Sequence, residues 1–198
     1  MTKTKLNLGL MFGGRSGEHA VSLRSSRSVR DVLDPAKYNV IEIGITLDGI
    51  WLSGPDALKA FEQGDTSSLY EVSLLNIAGK VGLYRLESEK LELLSELDVI
   101  FPVLHGTFGE DGTIQGLFEI LNCAYVGAGV LASAACMDKA VCKDLLHNAG
   151  IPVLPYRVFS RSQINNYLDD VVALSEAVSA YPLFVKPANL GSSVGISK

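Results

Sequence analysis

Four stretches of the chain set chemically competent side chains beside glycine-rich turns. The first is FGGRSGEHAVS, Phe12 to Ser22, where a buried-strand pattern meets two glycines and a helix pattern opens at Glu18. Backbone N–H groups and a helix N-terminus converge on such a turn, so it can seat an anion. A dinucleotide fingerprint needs glycines at i, i+2 and i+5; Gly9, Gly13, Gly14 and Gly17 do not supply them, and that reading fails on spacing. Glu18 stands where an anion would otherwise bind. Its carboxylate either pairs with a ligand ammonium or compensates the helix dipole in the first turn.

The second stretch, LHGTFGEDGTIQG from Leu104 to Gly116, also follows an apolar strand pattern. Ligands of open α/β sheets sit at the C-terminal ends of strands, so both loops point to one rim. His105 can bind a carboxylate or move a proton, against the plainer reading of a structural histidine. Adjacent acids opening a helix are usually caps, which is the weight given to Glu110 and Asp111 over a metal role.

The other two stretches carry lysines. CMDKAVCKDLL puts Lys139 in the first turn of a helix, a poor place for a cation by dipole logic and so a hint of phosphate. Lys186 closes the apolar run LFVK and precedes PANLGSSVG. Gly191, Ser192, Ser193, Val194 and Gly195 can wrap a phosphate with backbone N–H groups and hydroxyls. In a Walker A loop the lysine follows the glycines; here it comes first. Either lysine alone reads as a surface charge, whereas the pair with the Gly/Ser loop points to a nucleotide.

Positioning these groups falls to alternating elements. LNLGLMF reads as a buried strand, followed by a helix from Glu18 to Leu33 with Val21, Val29, Val32 and Leu33 as its apolar stripe, stopped at Asp34-Pro35. NVIEIGITLDGIWL reads as a strand entering a hairpin at Asp48-Gly49, and VGLYRLESEKLELL as a second hairpin. Residues 55–80 give no firm element. LDVIFPVLHG suits the buried centre of a parallel sheet. Ile114, Leu117, Phe118 and Leu121 then mark an amphipathic helix with Asp111 as its candidate N-cap. A short strand at AYVGAG, a helix from Met137 to Asn148 ending at Gly150, a strand at IPVLPYRVF, a helix within 163–180 and a strand at PLFVK complete the pattern. The class is α/β with a largely parallel, Rossmann-like sheet, and the division falls near Gly127 to Ser133.

Bulk properties narrow the partners. The chain has 198 residues, 47% hydrophobic and 20% charged, enough for a real core. A formal net charge of -5 argues against nucleic acid, and Arg24, Arg27 and Arg30 at helical spacing read as a solvated face. The start lacks the pattern of a secretion signal, and no run approaches the ~18 apolar residues of a membrane helix, so a cytoplasmic location is expected. Three cysteines, Cys123, Cys136 and Cys142, form no C-x-x-C pair and suggest neither disulfides nor zinc.

GGRSGEHAVS, LHGTFGEDGTIQG, AACMDK and LFVKPANLGSSVGISK, in that order and across nearly the whole chain, resemble the D-alanine–D-alanine ligases, ATP-grasp enzymes of bacterial cell-wall synthesis. The resemblance implies an N-terminal substrate-side domain over 1–127 and the first part of an ATP-grasp domain over 128–198. It implies that Glu18 holds the ammonium of the first D-alanine and anchors a hydrogen-bonded group that includes Ser192. His105 would face that substrate's carboxylate. Lys139 and Lys186 would bind ATP phosphates under a mobile loop of Gly191 to Gly195. Phosphoryl transfer from ATP to the carboxylate would form an acyl phosphate, which the amine of a second D-alanine attacks. Magnesium is implied too, but the chain shows no ligand set for it, and the resemblance places those ligands and the transition-state arginine in a further segment. The 198 residues alone are therefore expected to be inactive. Ala20 departs from the acid many relatives carry after the histidine of the first motif. A homodimer is expected from the family. Competing readings are a D-alanine–D-lactate or D-alanine–D-serine ligase, and a non-catalytic binding module.

Overall fold

In a computed structural model the described residues are 5–87 and 89–198, and they fall into two compact units, Met1–Ala134 and Ala135–Lys198. The first unit is built on a seven-stranded mixed sheet. Its first strand β1 (Leu6–Gly13) leads into helix α1 (His19–Val32) and strand β2 (Tyr38–Ile45). Strand β3 (Trp51–Ser53) follows, then helix α2 (Ala57–Gln63), strands β4 (Tyr70–Ile77), β5 (Lys80–Glu87), β6 (Lys90–Glu96) and β7 (Val99–Pro102), and helix α3 (Thr113–Ile120). The strand order is β6-β5-β4-β3-β2-β1-β7.

The α/β class expected from the sequence is what the chain adopts, with one revision to the sheet. Only β1 pairs in parallel, with β2 on one side and β7 on the other; β2 to β6 join antiparallel. Parallel neighbours need a long crossover, which α1 supplies, whereas the short connection at Asp48-Gly49 permits only a hairpin. The strand expected at the sheet's centre, β7, lies instead at the end of the strand order, flanked beyond by a single bridge from Ile100 to Tyr125. That bridge is all the structure forms where a strand was expected at AYVGAG.

Strand β1, between β2 and the edge strand β7, is buried on both faces over most of its length. Leu8, Leu10 and Phe12 pack with Leu23 of α1 and with Leu58 and Phe61 of α2. Met11 points the other way, to Ile43, Ile100, Ile114 and Phe118. Full burial of a side chain the size of Phe12 contributes about 2–3 kcal/mol. The buried face of α1 differs from the expected stripe. Ser22, Leu23 and Ser26 are buried, Val29 and Leu33 pack against them at the rim, and Val21 and Val32 face outward. Ser22 occupies a core position because hydrogen bonding removes much of the cost of burying its hydroxyl, whereas the Ser26 hydroxyl is buried without a partner among the described residues. Helix α2, which the sequence left unassigned, starts without a side-chain cap of its own; Glu42 of β2 accepts from the Leu58 N–H at 2.7 Å instead. Burial pushes the Cys123 thiol up to about 11, so it sits in the core as an inert apolar group.

After the helix α4 (Val130–Met137), the second unit holds α5 (Lys139–Asn148), α6 (Arg161–Asn166) and α7 (Leu168–Glu176). Two of these starts are capped as the rules require. Asp138 accepts from the N–H groups of Ala140 and Val141, and Ser160 with Gln163 forms a reciprocal capping box. The strands expected at IPVLPYRVF and PLFVK are corrected. The first has no strand pairing, and the second makes one bridge, Val185 to Ser197. An extended segment becomes a strand only when a neighbour answers its N–H and C=O groups. The helix expected within 163–180 is two shorter helices, α6 and α7, separated at Tyr167, and α5 begins at Lys139 behind its Asp138 cap.

Candidate functional site at the strand ends

The C-terminal end of β1 turns on Gly13 and Gly14, both in the left-handed region (φ +87° and +95°). A Cβ on Gly13 would collide with the Ile45 carbonyl, so only glycine fits the turn. Beyond it a line of serine hydroxyls ties the chain together. The Gly13 N–H donates to Ser22 Oγ at 2.8 Å, and the Ser22 hydroxyl donates in turn to the Val103 carbonyl. Ser16 accepts from the Glu18 N–H at 3.1 Å and donates to the His105 carbonyl at 2.6 Å. Each is a buried hydroxyl joining the loop after β1 to the segment leaving β7, a link worth about 1 kcal/mol when made and more when broken.

Those links set Glu18 beside the His105–Gly106 backbone. Glu18 is buried and forms the N-cap position of α1 without a side-chain cap bond. A Cβ on Gly106 (φ +73°) would lie 2.7 Å from Glu18 Oε2, so the second loop approaches the carboxylate closely. The imidazole of His105 has its Nε2 3.0 Å from Ser25 Oγ and its Nδ1 4.0 Å from Glu110 Oε1. Glu110 also accepts from the Gly106 N–H at 2.7 Å. The structure therefore brings Glu18 and His105 to the same rim, as the two loops suggested.

Asp111 is not the residue at the N-cap position; Gly112 is, with φ +91°. Its carboxylate still serves the helix start, accepting from Phe108 N–H at 2.8 Å and Thr113 N–H at 3.0 Å. Burial raises its pKa, but these hydrogen bonds outweigh burial and hold the carboxyl below the usual range. Beside the rim lies a cavity of about 200 Å3 lined by Gly14, Arg15, Trp51, His105, Phe108 and Thr113, among others. The Arg15 guanidinium stacks 5.0 Å over the Phe108 ring at its mouth.

The second unit holds the lysines. The Lys139 ammonium donates to the carbonyls of Ala188, at 3.4 Å, and Leu190, and the Lys139 N–H also bonds Ala188 O at 3.0 Å. It thus anchors the backbone immediately before the Gly/Ser loop. Lys186 is exposed. In the loop, Ser192, Ser193 and Gly195 all have positive φ, and the Val194 N–H closes a turn onto Gly191 O at 3.0 Å. Two consecutive serines in the left-handed region cost of order 1 kcal/mol each, strain of the kind that clusters at ligand-gripping loops. Two ammonium groups and two serine hydroxyls fit a polyphosphate. Among the described residues no group of three or more His, Cys, Asp or Glu side chains could hold a metal, so these residues do not fit magnesium.

Sequence reasoning passed over Ser16, Ser22 and Ser25. The usable signal was the serine-rich, weakly apolar composition of SLRSSRS at a helix that must nevertheless pack on the sheet.

Together these features define the class: an α/β protein whose first unit gathers a buried carboxylate and an imidazole at its strand ends, followed in sequence by a lysine- and serine-bearing loop. Comparison with known proteins narrows it. Residues 7–128 match the family described as "D-ala D-ala ligase N-terminus", and residues 145–198 match "D-ala D-ala ligase C-terminus". The D-alanine–D-alanine ligase of Natranaerobius thermophilus is 48% identical over 195 residues, 98% of this chain and 53% of that protein. That of Listeria monocytogenes is 45% identical, over 98% of this chain and 54% of its own length. Among solved structures, VanG D-Ala:D-Ser ligase from Enterococcus faecalis superposes with a TM-score of 0.80 at 34% identity, covering 98% of this chain and 55% of its own. The D-alanine–D-alanine ligase from Coxiella burnetii gives 0.76 at 32% identity, over 98% of this chain and 54% of that one. The chain belongs to the D-alanine–D-alanine ligase family. It spans about half the length of the curated relatives it matches.

Proposed function

We propose that the full-length protein joins two D-alanines at the expense of ATP, through an acyl phosphate, to supply a peptidoglycan precursor. The observation that carries this reading is the buried Glu18 carboxylate held at the same rim as His105. A D-amino acid brings an ammonium and a carboxylate, and the rim offers one group of each complementary kind. Glu18 takes the ammonium; His105 faces the carboxylate. A carboxylate and a triphosphate repel each other, so cations must lie along the phosphates; Lys139 and Lys186 are assigned to that work. The loop Gly191, Ser192, Ser193, Val194, Gly195 covers them and shuts out water, which would otherwise hydrolyse the acyl phosphate. Ser192 is assigned a catalytic role together with Glu18. ATP supplies the activating phosphoryl group, and no step is assigned to a metal.

On this reading residues 1–127 form the substrate-side domain and 128–198 the first lobe of the ATP-grasp domain, and the full-length protein is a homodimer in the cytoplasm. The one observation favouring a second reading is the superposition on VanG, a D-Ala:D-Ser ligase. One experiment addresses both. Full-length protein is incubated with ATP, magnesium and D-alanine, alone or with D-serine or D-lactate, and ADP and product masses are followed. D-alanine-dependent ADP release with D-alanyl-D-alanine as the main product is expected. ADP release that ignores D-alanine would overturn the proposal, and a mixed product would move it to the second reading.

A further inference from the structure

We infer that Ser25 is a positioning residue: its hydroxyl answers Nε2 of His105 and so supports the tautomer in which Nδ1–H is the donor offered at the rim. The inference rests on the reading of His105 as the group that meets the substrate carboxylate. Helix α1 carries Glu18, Ser22 and Ser25 at i, i+4 and i+7, hence along one face. Two of those positions act on the same short segment, Ser22 on the Val103 carbonyl and Ser25 on the His105 ring. Ser16 holds the His105 carbonyl, so the backbone of His105 and its ring are gripped separately.

A neutral imidazole has one donor nitrogen and one acceptor. Nδ1 lies 4.0 Å from Glu110 Oε1, and a lone pair turned toward a carboxylate would be repelled, so the proton belongs on Nδ1. Nε2 must then accept, and the partner 3.0 Å away is the Ser25 hydroxyl, which can donate. Glu110 therefore sets the tautomer, and the Ser25 hydroxyl, which could equally accept, donates to complete it. An isolated histidine prefers its proton on Nε2, so the protein is working against the intrinsic bias. The Glu110 carboxylate, half exposed and tied to Gly106 N–H at 2.7 Å, lies on the Nδ1 side of the ring, the side assigned to the substrate carboxylate. A donor fixed in advance costs no reorganisation when the substrate arrives.

The test uses the full-length protein labelled with 15N at histidine, its His105 signals assigned by their loss in His105→Asn. Wild type is expected to show the Nδ1–H form. In Ser25→Ala the ring relaxes toward Nε2–H, and the KM for the first D-alanine rises roughly three- to tenfold with kcat within about twofold, the loss of one neutral hydrogen bond. Ser25→Thr, which keeps the hydroxyl, restores both. An unchanged tautomer in Ser25→Ala overturns the inference, and so does a changed tautomer with an unchanged KM. If wild type forms no dipeptide, the functional reading falls while the tautomer measurement still decides the Ser25–His105 pairing.

Discussion

The two units treat their apolar residues in opposite ways. Every buried residue among those described lies at or before Ser133: Leu10, Met11, Phe12, Ile43, Leu83, Ile100 and Phe118 are sealed within the first unit. Over 135–198 none is buried, and Leu145, Leu154, Leu168, Val172, Phe184 and Val185 are exposed, although α5, which carries Leu145, and α6 both start behind side-chain caps. Local rules and tertiary burial are thus separable. Caps and turns set where a helix starts, but the packing of a face onto another element supplies most of its stability. The first unit has that second layer on both sides of its sheet; within the described residues of the second, it is missing.

This difference can be broken most sharply with one phenylalanine from each unit. Phe118→Ala removes a ring that is 0% exposed and should cost about 3–5 kcal/mol, whereas Phe184→Ala, 58% exposed, should cost less than about 1 kcal/mol in the same chain. Denaturant titration followed by the fluorescence of Trp51, which reports on the first unit, measures the former, and comparable losses would mean that the second unit has a core after all. Next comes backbone strain. Gly13→Ala forces a Cβ against the Ile45 carbonyl at φ +87° and should cost at least about 2 kcal/mol by the same titration.

A smaller effect sharpens the comparison from the other side. Asp138→Ala removes the cap of α5 and should cost about 1 kcal/mol locally, seen as faster amide exchange over 139–148 with Trp51 unfolding unchanged. Smallest is the acid limb. Asp111 has a folded pKa depressed below its ordinary 3.8, so its contribution is present above that value and is lost as pH falls through the folded pKa. Stability of Asp111→Asn should accordingly fall less than wild type between pH 5 and pH 2, about the span where carboxylates titrate.

Much of the first unit was legible because its elements obey local rules. The strand LNLGLMF, the helix behind Glu18 and the hairpin at Asp48-Gly49 are set by composition and turn residues, and the site loops by glycines that follow strands. Three things were not. The apolar stripe of α1 misread Val21 and Val32 as buried, because counting apolar types cannot see a serine whose hydroxyl is answered by a distant carbonyl, as Ser22 is by Val103. Helix α2 was missed because its start depends on Glu42, 16 residues away from Leu58 in sequence. The expected strands at 151–159 and 182–186 failed for want of pairing partners, something no propensity contains. Glu18 and His105 in the first unit, and Lys139 and Lys186 in the second, stood out by charge and position, while Ser16 and Ser25, which hold Glu18 and His105 in place, look like ordinary polar residues until their partners are known.

The central claim is that the Glu18 carboxylate binds the ammonium of the first D-alanine. Its most direct measurement is the steady-state kinetics of Glu18→Gln in the full-length protein, with D-alanine and ATP varied separately. Loss of a charge-assisted contact predicts at least a tenfold rise in the KM for the first D-alanine, on the order of 1.5–3 kcal/mol, with the KM for ATP nearly unchanged. An unchanged KM for D-alanine would contradict it and return Glu18 to compensating the helix dipole in the first turn.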